Sequence, residues 1–165
     1  MRNSIVNTIA LAGMLLFLAG GCTAPGTRWP AISEALTDVH VQGRWVWGEL
    51  FADNVEAEKA FYRDVFGWQF DNINIGVGKD VYTLARVNGR PIAGIIHYAK
   101  PANAERSARW LPLMSVPDAA RAAQQAAASG GKVLAPAKTV PGRGEMAVLA
   151  DPEGAIFGVI HAASG

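Results

Sequence analysis

EAEKAFYRDVFGWQF, residues 56–70, runs as a short amphipathic helix that stops at Gly67 and turns into a strand. Ala57, Phe61 and Val65 recur at helical spacing, flanked by Tyr62 and Phe66, while Glu56, Lys59 and Arg63 fall on the other side. The aromatic side is therefore the expected core face, with Tyr62 and Phe66 buried. Asp53 suits the N-cap, and Glu56 three residues later would close a capping box. Gly67 supplies the left-handed residue that ends such a helix. Upstream, RWVWGELF (44–51) is rich in aromatic and β-branched residues and reads as a strand. Its period of two places Trp45, Trp47, Glu49 and Phe51 on one face and Val46, Gly48 and Leu50 on the other. Downstream, WQFDNI (68–73), VYTLARV (81–87) and RPIAGIIHYA (90–99) make three further strands, the last two joined by the tight-turn pair Asn88-Gly89.

The same outline returns in the second half. RWLPLMSV (109–116) is a strand, a helix runs from about Asp118 to Ser129, and Gly130-Gly131 precede KVLAPAKTV, GEMAVLA and AIFGVIHA. DPEG (151–154) joins the last two strands with proline and glycine where a type I turn prefers them. The intervals 54–67 and 118–131 match in length, so the order β-α-β-β-β occurs twice, as an internal duplication. Pro112 inside the second unit's first strand implies an edge or a bulge there. The second helix, AARAAQQAAA, is almost all small side chains of high helix propensity; it suits close packing on a sheet and offers no chemistry.

Paired βαβββ units with FY…VFGW at the first helix end and GRGEMAVLADPEGAIFG at the last hairpin resemble the vicinal oxygen chelate superfamily of glyoxalases, bleomycin-resistance proteins and extradiol dioxygenases. The resemblance covers residues 44–162. It implies an α+β fold in which two βαβββ units form paired half-barrel sheets around a cleft. Metal-dependent members of that family hold a divalent ion on inward-facing His, Gln or Glu of the first and last strands of both units. Carried onto this chain, those positions fall on Trp47, near Gly94 to Ile96, at or beside Leu111, and on Gly158. Tryptophan, leucine and glycine offer no side-chain donor to such a cation, so no metal and no other cofactor is expected. A relocated site would need Glu49, His97 and His161 to converge.

The cleft instead offers aromatic surface with one carboxylate. Trp45, Trp47 and Glu49 share a strand face, with Tyr82, His97 and Arg109 as polar companions for a small, apolar or aromatic ligand. The plain alternative is that both tryptophans only fill the sheet's concavity. Glu49 beside apolar rings has its charged form disfavoured unless a cation answers it, and it is the candidate general base. Arg143 and Glu145 read as a solvated loop pair.

The first 21 residues are set apart from this fold. MRNSIVNTIALAGMLLFLAGGC has a basic start, an apolar middle and small residues before Cys22, the layout of an export signal. Leu18-Ala19-Gly20-Gly21-Cys22 resembles the lipobox of bacterial lipoproteins, with Ala19 where leucine is commonest; an ordinary cleaved signal and an uncleaved membrane helix are the alternatives. That resemblance implies a signal peptide over 1–21, a lipidated Cys22, a tether over 22–42 and the folded domain over 43–163. It places the protein in the cell envelope with the lipid bilayer as a partner. Thr23, in place of an aspartate, favours the outer membrane in a Gram-negative host. One cysteine closes no intramolecular disulfide, and a formal charge of +1 leaves no footprint for nucleic acid. Three functions stand open: small-molecule binding, an enzyme of the lyase or dioxygenase kind, and an envelope interaction module with a filled cleft. Monomer and homodimer are both compatible with two units in one chain.

Overall fold

A computed structural model describes residues 42–75, 81–99 and 108–162. The signal segment, Cys22 and nearly all of the tether lie outside these residues. The elements run β1 (Trp45–Ala52), α1 (Val55–Phe66), β2 (Gln69–Asn74), β3 (Val81–Val87), β4 (Arg90–His97), β5 (Arg109–Ser115), α2 (Ala119–Ala128), β6 (Lys132–Val140), β7 (Gly144–Ala150) and β8 (Ile156–Ala162). This is the duplicated β-α-β-β-β order. The strands form one sheet in the order β2-β3-β4-β1-β5-β8-β7-β6. Within each unit the first strand runs parallel to the last, β1 beside β4 and β5 beside β8, and an antiparallel β1–β5 seam joins the two units at the centre.

Local chemistry accounts for the punctuation. Asn88 and Gly89 both have positive φ, 51° and 75°, and close the β3–β4 hairpin. Gly67 takes φ 69°, and its N–H donates to the Arg63 carbonyl, ending α1. The α1 cap is Asn54, whose side chain accepts from the Ala57 N–H at 3.0 Å. This corrects the expectation of Asp53 by one position; asparagine caps as well as aspartate, and Glu56 pairs with Lys59 instead of closing a box. Pro112 lies in an interior strand, although proline ordinarily keeps to edges. However, β5 pairs with β8 only from Leu113 onward, and the β1–β5 register shifts between Trp45 and Trp47, so both an unpaired stretch and a bulge occur beside it.

The two faces of the sheet differ. One carries α2, where Ala119 and Ala123 are buried against Ala147, Leu149 and Val159; the small side chains let the helix lie close. On the same side α1 covers Leu50, Ala52 and Ile95 through Val55 and Tyr62. Its orientation departs from the sequence expectation. Phe61, Val65 and Phe66 are 52–59 % exposed, and no residue of α1 is fully buried. The sheet-facing line is Val55, Glu58, Lys59 and Tyr62, with the Lys59 stem lying inward and its amine on Glu56. A stack of Tyr62 on Trp68, with Trp110 edge-on, fixes this rotation, and Trp110 Nε1 donates to Tyr62 Oη at 2.9 Å.

The opposite face is the inner one. Trp47, Phe51, Tyr82, Leu84 and Ile96 of the first unit join Leu111, Leu113, Met146, Val148 and Ile160 of the second in a single apolar cluster. Four strands separate β3 from β7 in the sheet, which would put them about 24 Å apart if it were flat. Yet Arg143, in the turn before β7, donates to the Tyr82 hydroxyl of β3 at 2.6 Å. The sheet therefore curls until the inner faces of its two halves meet.

Candidate functional site

Where the two halves meet, four side chains form a hydrogen-bonded polar cluster within this apolar face. Period-two alternation along β1 turns Trp47, Glu49 and Phe51 inward, and the Trp47 indole donates to Glu49 Oε1 at 2.9 Å. Tyr82 shares its hydroxyl proton between both Glu49 oxygens at 3.1 Å each. Arg143 reaches in from the β6–β7 turn; its Nη1 donates to Glu49 Oε1 and its Nη2 to Tyr82 Oη. The guanidinium also lies 5.0 Å from the centre of the Tyr82 ring and 5.9 Å from that of Trp47. Glu49 is 2 % exposed and Arg143 4 %.

Burial sets the electrostatics. Desolvation pushes the Tyr82 hydroxyl far above its ordinary pKa, and the neighbouring Glu49 charge pushes it the same way, against Arg143, so the phenol stays neutral. For Arg143, burial opposes the charge, but Glu49 and Tyr82 more than offset it and its pKa rises. Glu49 therefore has the answering cation that its apolar surroundings require. Both its oxygens are engaged by three donors, an arrangement suited to orienting neighbours and poorly suited to abstracting a proton.

The sequence candidates separate accordingly. Trp47, Glu49 and Tyr82 are brought together. Trp45 is not: it is 61 % exposed, because the bulge between Trp45 and Trp47 breaks the alternation, and Val46 packs on the inner cluster instead. His97 is exposed at the end of β4, one residue out of phase with inward Ile96; His161 is likewise exposed and out of phase with Ile160. These two histidines and Glu49 do not converge. Arg109 does lie on the inner face, since β5 alternates regularly through Leu111 and Leu113 while Trp110 points to α1. Arg143, read from the sequence as a solvated loop residue, is instead the buried partner of Glu49. The only hint was the unanswered carboxylate itself; which of the basic side chains met it depended on the curl.

The residues present do not fit a divalent cation. Gly94 and Gly158 stand at or next to the family's ligand positions on β4 and β8. A side chain begun at Gly94 would lie 1.7 Å from Tyr82 Oη and 2.5 Å from Glu49 Oε2, and one begun at Gly158 would lie 2.3 Å from Leu113 Cδ2. Tyrosine and leucine thus fill the space where donors would start. Glu49 is the one carboxylate in the cluster, and it is already bound by Arg143. Among the described residues no three of His, Cys, Asp and Glu group together as metal ligands would.

Comparison with known proteins agrees with the fold. The chain belongs to the Glyoxalase/Bleomycin resistance protein/Dioxygenase superfamily, whose family model matches residues 39–159. CFP32 of Mycobacterium tuberculosis, provisionally called a glyoxylase, is 31 % identical over 153 residues, which is 92 % of this chain and 57 % of that protein. The anthracycline biosynthesis protein DnrV of Streptomyces peucetius is 29 % identical over 128 residues, 71 % of this chain and 46 % of that protein. The chain thus spans about half the length of these curated relatives. Among solved structures, methylmalonyl-CoA epimerase from M. tuberculosis superposes with a TM-score of 0.54 at 12 % identity, covering 78 % of this chain and 93 % of its own. The S115T variant of the Streptomyces coelicolor epimerase gives 0.55 at 14 % identity, covering 75 % and 97 %. At these identities the likeness is one of fold.

Proposed function

We propose that this protein is a metal-independent member of the superfamily that binds a small apolar or aromatic molecule against the inner face of its curled sheet. One observation carries the reading: a hydrogen-bonded Glu49–Arg143–Tyr82–Trp47 cluster stands where metal-dependent relatives place their ligands, among the buried side chains of Phe51, Leu84, Ile96, Leu111 and Leu113. An apolar wall with a few fixed polar groups is the usual make-up of a small-molecule site. The enzyme alternative, with Glu49 as general base, is the weaker reading because the carboxylate's acceptors are already occupied. Lipidation at Cys22 would hold the domain at the envelope membrane on its tether, since a diacylated cysteine supplies the two chains that stable attachment needs.

Titration with planar aromatic compounds, followed by tryptophan emission before and after chelator treatment, tests the binding reading; DnrV's name makes anthracyclines a natural part of the panel. Saturable quenching that is indifferent to chelator is expected. Stoichiometric metal in the purified protein, or silence across the whole panel, would overturn it. For the anchor, the full chain should sediment with membranes and Cys22→Ser should not.

A further inference from the structure

Resting on the small-molecule reading, the inference concerns the remaining charge of the inner face. Arg109 pairs in register with Phe51 across the β1–β5 seam, and Phe51 in turn with Ile96 of β4. The arginine thus stands at the end of a row of buried apolar side chains, with Leu111 next to it on its own strand face. It is half-buried, and its Nε is shielded from solvent without a hydrogen-bond acceptor among the described residues. A buried donor left without an acceptor is uncommon in folded proteins and points to a partner that binds from outside. Two acids of this face are taken: Glu49 is held by Arg143, and Asp71, out toward the edge strand β2, is held by Arg86. The Tyr82 phenol stays neutral. Among the described residues Arg109 is thus a half-buried cation of the inner face that neither Glu49 nor Asp71 answers.

We infer that Arg109 anchors an acidic oxygen group of the ligand, so that the site takes aromatic or apolar acids in preference to neutral compounds of the same shape. A guanidinium is a planar fork that matches a carboxylate with two parallel N–H···O bonds, and such charge-assisted bonds strengthen where water is excluded. The ligand's acid end then sets the orientation, and its hydrocarbon body sits at the Arg109 end of the row, over the buried Phe51 and Ile96. The Glu49 cluster flanks the body, its Arg143 held by the Glu49 carboxylate although its Nε, too, lacks an acceptor among the described residues.

Calorimetric titration of the full-length protein with benzoate, 2-naphthoate and 2-anthroate, each against its primary amide, tests this. At least one acid should bind tenfold or more tightly than its amide, and the gap should narrow as salt rises. Arg109→Gln should bring that acid to the affinity of the amide while the amide's own affinity holds, and Arg109→Lys should retain part of the gap. The salt titration of the unsubstituted protein reads the same contact without a mutation, should Arg109→Gln fail to fold. Equal binding of acids and amides, or a preference that survives in Arg109→Gln, refutes the Arg109 assignment and leaves small-molecule binding standing. Binding of neither series refutes both.

Discussion

Removing both partners of the Glu49–Arg143 pair should cost no more than removing either one. Each side chain is 3 % exposed, so solvent screening does not blunt the pair as it would at a surface, where such pairs contribute about 0–1 kcal/mol. Arg143→Met leaves a buried carboxylate with only the Trp47 and Tyr82 donors, and Glu49→Leu leaves a buried guanidinium facing the Tyr82 oxygen. Breaking a buried pair in this way costs about 3–5 kcal/mol. In the double variant Glu49→Leu/Arg143→Met, the Trp47 N–H and Tyr82 O–H lose their acceptor, at about 1–3 kcal/mol each. Replacing the ion pair with apolar side chains returns about 1–4 kcal/mol. The double variant should thus be no worse than either single, with a coupling energy of about 3 kcal/mol or more. Urea unfolding of the four proteins, followed by tryptophan emission, measures this cycle. The reasoning fails if the single variants lose under about 1 kcal/mol, or if the double equals their sum within about 0.5 kcal/mol.

The raised pKa of Tyr82 makes stability fall with alkalinity. A group whose folded pKa is raised contributes stability that is complete below its unfolded value, 10.0 for tyrosine, and is lost as pH climbs from there toward the folded value. Urea midpoints measured from pH 9 to 11.5 should drop, and Tyr82→Phe should drop less steeply; equal slopes would contradict the burial of that hydroxyl. Gly94→Ala places a methyl on the Tyr82 hydroxyl and should destabilise by at least the 1–3 kcal/mol, roughly, of an overpacked core. Gly158→Ala should do the same and be partly rescued by Leu113→Ala, which thermal melts of the single and double variants can check. Asn54→Ala should cost about 0.5–2 kcal/mol. Asp53→Ala leaves the Asn54–Ala57 bond intact and should cost less in the same melts; the reverse ranking would return the cap to Asp53.

The elements and their order were legible because they are written in short-range patterns. Alternation along β1, the Asn88-Gly89 turn, Gly67 after VF, and the repetition of the whole unit each need only a few neighbouring residues to be recognised. Parity then identified Trp47, Glu49 and Phe51 as inward without any knowledge of the sheet's shape, while the facing of Arg109 stayed open. It failed at Trp45, where a bulge adds a residue to one strand and reverses the alternation, and at α1, where two apolar stripes compete. Phe61 and Val65 look like the buried stripe, but the Tyr62–Trp68–Trp110 stack and the Lys59 stem turn the helix the other way.

By itself, the sequence determined a duplicated βαβββ chain with a carboxylate set among inward aromatics, since side-chain period and turn chemistry are properties of neighbouring residues. Only the tertiary structure decided what that carboxylate meets. Arg143 lies 94 residues from Glu49 along the chain and reaches it because the sheet curls across the two strands between β1 and β7, a geometry that depends on all eight strands at once.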